Sequence, residues 1–184
     1  MSAAARDASV ANAARVPSPE IETPVAPAAG VPVPETYPAP PTPDSLREFL
    51  TQREPAAKLV CSDCTGSFIL ASAGLLKGRR ATSHWVARDT LADFGVTPVD
   101  QRVVADGKFI TGAGISAGLD MALAAVEALR GRAYAEAQML QAEYAPVPPF
   151  AGGRPDNTAP AITDAMKSML GGFRAQASAI AKRG

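Results

Sequence analysis

The hydrophobic positions change their spacing along this 184-residue chain. Through residues 1–43 they show no period at all. From Asp44 a helical spacing appears: Leu46, Phe49 and Leu50 follow a proline and an acid that suit a helix start. Residues 57–62 (AKLVCS) are short, apolar and bounded, which predicts a buried parallel strand. Residues 67–76 predict a helix closed by Lys77 and Gly78. A very short strand is expected at 81–83 and a helix at 84–94, ended by Gly95. Two strands, 102–105 and 108–111, are joined by Asp106-Gly107, a strong hairpin signal. Residues 116–129 carry an amphipathic helix that is expected to run past Gly131 towards Tyr144. A proline-rich loop follows, then a last helix over 161–182, weakened by Gly171-Gly172.

Four strands alternating with helices predict an α/β layered domain with a mainly parallel, thin sheet. The domain is expected over 44–184. Residues 1–43 hold ten of the seventeen prolines and read as an extended, disordered Ala/Pro-rich tail. Asp7, Glu20 and Glu22 count against a transit peptide there.

Charge and cysteine content narrow the classes. The formal net charge is zero, so no broad electrostatic footprint for nucleic acid or an acidic membrane is expected. No apolar run approaches the ~20 residues of a membrane span. With two cysteines and no secretory signal, a reducing cytoplasm is the expected location.

The chemistry gathers at one corner. KLVCSDCTGS passes from a strand through Ser62-Asp63-Cys64-Thr65-Gly66 into a helix, the outline of a nucleophile elbow with small residues two positions either side of Cys64. A thiol there meets helix N-terminal amides that favour its ionised form. The other reading is a small apolar cysteine at a tight turn. His84, the chain's single histidine, follows the next strand and should emerge at the same sheet edge.

Two patterns mislead. Cys61 and Cys64 spell C-x-x-C, but a zinc site needs two further ligands and a redox pair places its first cysteine at the helix start. No metal and no organic cofactor are expected. Residues 112–117 spell G-x-G-x-x-A, yet no strand follows the helix as a dinucleotide fold requires. That glycine turn more simply lets backbone approach the cysteine corner.

The blocks CTGSFILASAGLLKGRRATSHW, GVTPVDQRVVADGKFITGAGISAGLDMALAAVEAL and QAEYAPVPPFAGGRPDNTAP resemble the second half of a ThiJ/PfpI-family protein, within its isonitrile hydratase branch. The resemblance covers roughly 44–184. It implies a three-layer, flavodoxin-like (class I glutamine amidotransferase-like) sandwich, here with a truncated sheet, and a homodimer acting on a small-molecule substrate. It implies Cys64 as nucleophile, Thr65 as its pocket neighbour and His84 close by, with Gly66, Gly112 and Gly114 lining the substrate site. The implied reaction is a lyase reaction, hydration of an isonitrile to an N-substituted formamide through a thioimidate.

Departures from the family are also expected. Relatives carry an acid on the first strand or its helix, and residues 1–43 do not read as that β-α-β start. Asp63 stands where relatives mostly have an apolar residue. Related regulators carry a helix-turn-helix domain, and the end at Gly184 disfavours that branch. The competing reading is a non-catalytic or redox-sensing truncated domain acting as an interaction protein. Glyoxalase or chaperone activity is a third.

Overall fold

The structure, a computed structural model, describes residues 42–182. These residues belong to one unit spanning Pro41–Gly184. The tail expected over 1–43 lies outside the described residues except for its last two positions.

Helix α1 (Pro43–Arg53) begins as its sequence dictates. The Thr42 hydroxyl accepts the Ser45 amide at 3.1 Å, and proline and Asp44 occupy the first turn. A 3-10 turn at Glu54–Ala56 follows. That turn displaces the expected strand, so β1 runs over Val60–Asp63 instead of 57–62. Lys108 Nζ bonds both the Glu54 carboxylate (2.8 Å) and the Glu54 carbonyl (2.6 Å), which anchors the turn.

Helix α2 (Gly66–Ser72) is shorter than predicted. Gly74 takes φ 75°, a left-handed value that stops the helix four residues before Gly78. Strand β2 (Arg80–Ala81) comes next. The expected helix at 84–94 is instead a turn and a 3-10 helix, Arg88–Phe94, closed by left-handed Gly95 as predicted. Strand β3 (Thr97–Pro98) was not expected. A proline survives there because the pair with β2 is only two residues long and its neighbours carry the bonds: the Thr97 amide donates to the Arg79 carbonyl and the Val99 amide to the Ala81 carbonyl, both at 2.8 Å.

Strands β4 (Val103–Asp106) and β5 (Phe109–Gly112) form the predicted hairpin, one residue later than expected. Gly107 has φ 61°, and Asp106 pairs with Phe109, so Gly107 opens the two-residue turn. Helix α3 (Ala117–Arg130) and helix α4 (Arg132–Gln141) replace the single helix expected through Gly131. Gly131 sits at φ 86°, ψ 165°, outside helical space, and breaks the run. Helix α5 (Pro160–Ala181) runs on through Gly171-Gly172.

The sheet order is β1-β5-β4, with β1 parallel and β4 antiparallel to β5; β2 and β3 form a separate parallel pair. The Thr82 amide donates to Thr111 Oγ1 at 2.9 Å and joins the segment after β2 to β5. Helices lie on both faces of β1. Ser62 faces Gly66 of α2, and the next residue, Asp63, faces Gly118 of α3. This is the expected α/β layering. The core gathers behind α2, where Phe68 meets Phe94 and Phe173 edge-on at centroid distances of 6.0 and 5.5 Å. No helix among the described residues is long and apolar enough to cross a membrane.

Candidate active site

Cys64 lies between the end of β1 and the start of α2, with Thr65 as the residue before the helix. Its φ is 54°. A non-glycine residue there costs roughly 1–2 kcal/mol, and such outliers concentrate at functional positions. The strain is held by three bonds. The Cys64 amide donates to the Gly112 carbonyl at 3.0 Å. The Cys64 carbonyl accepts the hydroxyls of Ser67 (3.2 Å) and Ser83 (2.9 Å). Both serines are fully buried. Ser67 belongs to α2 and Ser83 to the segment after β2, so three parts of the chain fix one backbone residue.

Ser83 brings His84 to this end of the sheet. The His84 ring lies tilted beside Trp85, with centroids 5.7 Å apart, and its Nδ1 accepts the Val86 amide at 3.4 Å. Burial lowers the His84 pKa from its ordinary value, so the neutral imidazole is favoured. Gly114 lies against this ring: a Cβ there would sit 4.0 Å from His84 Cδ2.

Of the expected site residues, Cys64, Thr65 and Gly66 are consecutive, Gly112 bonds Cys64, and Gly114 borders His84. The reasons for two of the glycines differ from expectation. A Cβ at Gly66 would meet Ser62 Cβ at 3.7 Å, an ordinary contact, so close passage does not itself demand glycine there. Gly112 is demanded by Asp63, whose Oδ1 would collide with any Cβ at that position.

Cys61 corrects an expectation. It lies in β1 as predicted, but it is exposed and not buried. Desolvation of its thiol nevertheless raises the Cys61 pKa.

Asp63, Ser67 and Ser83 were not singled out as a cluster from sequence. Ser83 stands in the RRATSHW block directly before His84, and that adjacency was the available signal. The Asp63 carboxyl sits over Gly112 and the first turn of α3, where a Cβ at Gly118 would lie 3.0 Å from Oδ2. Its Oδ1 is buried without a hydrogen-bond partner. Burial raises the Asp63 pKa, against the opposing pull of the Cys64 amide and the Arg102 guanidinium.

No cluster of three or more metal-ligating side chains occurs among the described residues. Hollows of about 240 Å³ beside Tyr144 and about 350 Å³ beside Lys77 are lined by other residues than Cys64.

Comparison with known proteins gives a consistent picture. Residues 30–128 match the model of the DJ-1/PfpI family. The isonitrile hydratase of Pseudomonas putida is 47% identical over 117 residues, covering 64% of this chain and 51% of that protein. The deglycase PfpI of Pyrococcus furiosus is 40% identical over 65 residues, covering 35% of this chain and 37% of that protein. A crystal structure of a ThiJ/PfpI family protein from Pseudomonas syringae superposes with a TM-score of 0.72 at 46% identity, covering 75% of this chain and 57% of that one. The chain thus spans about half the length, or less, of the curated relatives it matches.

Proposed function

This chain belongs to the DJ-1/PfpI family, and from that premise we propose that it hydrates isonitriles through Cys64. The observation that carries the reading is the left-handed Cys64 at the β1–α2 corner, its amide on Gly112 and its carbonyl on Ser83. The 47% identity to an isonitrile hydratase supports the choice of substrate class.

In this reading the Cys64 thiolate attacks the terminal isonitrile carbon. A carbon–sulfur bond forms and the same carbon takes a proton, giving a thioimidate. Water adds to that carbon, the carbon–sulfur bond breaks, and the thiol is regenerated as the N-substituted formamide leaves. Splitting one difficult addition into two easier steps needs no metal and no organic cofactor. Thr65 moves the proton, and neutral His84 orients the reacting groups without attacking. Gly66, Gly112 and Gly114 supply backbone to the substrate wall. A homodimer is part of the reading, supported by large apolar side chains left exposed, among them Ile115, Leu119, Leu140 and Phe150.

The test is turnover of alkyl and aryl isonitriles by the full chain, followed as formamide. Cys64→Ala should abolish it and Cys61→Ala should not. Equal loss in both variants would overturn the assignment. A second reading, a non-catalytic or redox-sensing domain acting as an interaction protein with Cys64 as its structural or sensing thiol, is favoured by the same exposed apolar side chains, which offer a partner surface.

A further inference from the structure

Two features on the far side of α3 fit each other, and the proposed hydration uses neither. The first is the hollow of about 240 Å³ between α3 and α4. Leu123 and Ala124 of α3 and Ala135 and Met139 of α4 give it an apolar lining. An apolar cavity of about 150 Å³ already takes a benzene ring, so this hollow has room for one aromatic side chain. The second feature is the loop that follows α4. Its residues 146–153 make no hydrogen bond with another described residue. Pro146, Pro148 and Pro149 fix its backbone. It holds Val147 89% exposed and Phe150 78% exposed. A phenyl ring in that position leaves most of its apolar surface in water.

Charge and area agree with the fit of sizes. Asp120, Glu127 and Glu136 stand at the hollow with a single cation, Arg132, among them. From Tyr144 to Pro155 the chain carries one charged side chain, Arg154. Arg154 lies 3.5 Å from Asp100 and 3.2 Å from Asp156 and remains half exposed. An acidic rim and a loop of opposite sign therefore occur on one chain. Leu119 and Leu129 of α3 and Tyr134, Met139 and Leu140 of α4 are also exposed. Together with the loop they can supply the roughly 800 Å² that each partner buries in a stable dimer.

We propose that the 145–153 loop of one copy docks on the α3–α4 hollow of a second copy, with Phe150 as the anchor in the hollow, and that the second copy does the same in return. Knob and hollow lie on one chain, so a twofold axis satisfies both at once and closes the assembly at two. Phe150 does not fill the hollow of its own copy: it stays exposed and is not among the residues that line it. An aromatic side chain seated in a pocket, ringed by polar groups that keep water out, is the usual form of a dominant contact. The prolines lessen the ordering that docking requires, because the loop is already stiff. The rim charges set the approach, with Arg154 towards the carboxylates.

The inference deepens the homodimer of the proposed function by naming its surface, and it does not depend on isonitrile turnover, which fails or holds separately. Sedimentation velocity of the full chain over a range of concentrations tests it. The wild-type chain should be a dimer. Phe150→Ser should raise the dissociation constant by about a hundredfold or more, because each dimer loses two anchors. Ala124→Leu fills the hollow from the other side of the contact and should raise the constant roughly tenfold. Both variants should keep the wild-type Tm of the monomer, since one changes an exposed side chain and the other adds an apolar group to an open hollow. A chain that stays monomeric at every concentration overturns the proposal and the homodimer with it. A wild-type dimer that either folded variant leaves equally strong overturns the proposal alone and assigns the homodimer to another surface.

Discussion

The amide of Cys64 donates to the carbonyl of Gly112 at 3.0 Å. This bond carries the parallel β1–β5 ladder one residue past the last paired position, Asp63 with Gly112. Cys64 is thus still tethered to the sheet while its φ has already left strand geometry. The corner is sharp because the sheet holds one side of the residue and α2 starts on the other. Gly112 serves two neighbours at once, accepting from Cys64 through its carbonyl and making room for Asp63 through its missing side chain.

Gly112→Ala should therefore destabilise the domain by about 1–3 kcal/mol, the usual cost of forcing extra volume into a packed site. The φ of Gly112 is not left-handed, so the cost is steric and comes from Asp63. Combining it with Asp63→Ala should recover much of the loss. Urea denaturation of the four proteins of this cycle measures the coupling, and simple additivity would refute the steric account.

The left-handed φ of Cys64 makes a prediction of its own. Glycine adopts such values without a Cβ penalty. Cys64→Gly should be more stable than Cys64→Ala by about 1 kcal/mol, although alanine is the better residue almost anywhere else. Equal stabilities would mean that the corner relaxes once the thiol is gone.

Much of this could be read from local sequence. The turn at Gly107, the stop at Gly95 and the cysteine corner all rest on residues within a few positions of one another. The break at Gly131 was missed because the apolar period on either side continues without a phase change. Strand β3 was missed because two residues with a proline carry almost no strand signal, and only bonds to the distant Arg79 and Ala81 carbonyls make it one. The exposure of Cys61 and the fit of Asp63 against Gly118 were not legible at all. Both depend on what packs over β1 from distant parts of the chain; the Asp63 fit is a contact across 55 positions.

Stability against pH should carry opposite signatures from two residues. His84 favours its neutral form in the fold. The unfolded chain then takes up the proton first, so the His84 contribution is present above about pH 6.5 and is lost as pH falls below it. His84→Gln should flatten that limb of a Tm-against-pH curve. Asp63 has its pKa raised. Its contribution is present below the ordinary aspartate value, near 3.9, and is lost as pH rises through the folded value, so Asp63→Asn should flatten the acid limb instead. A His84→Gln curve that still falls below pH 6.5 with wild-type slope would show that the histidine is not the group responsible, since it is the only one in the chain.

The two hydroxyls on the Cys64 carbonyl permit a sharper test of how the corner is held. Ser83 donates at 2.9 Å from the segment after β2, and Ser67 at 3.2 Å from α2. Removing either one leaves the other in place, so Ser83→Ala and Ser67→Ala should each cost about 0.5–1.5 kcal/mol. Removing both strands a part-buried carbonyl without a donor, and that group then bears its full desolvation penalty, about 1–3 kcal/mol. The double variant should consequently lose more than the sum of the singles, with a coupling of at least about 0.5 kcal/mol. Cys64 alkylation should follow the same order, slowest or least uniform in the double variant, because the carbonyl bonds fix the residue that carries the thiol. Strict additivity would mean that the two serines act independently, and no loss in any of the three variants, with unchanged alkylation, would mean that Gly112 alone holds the corner.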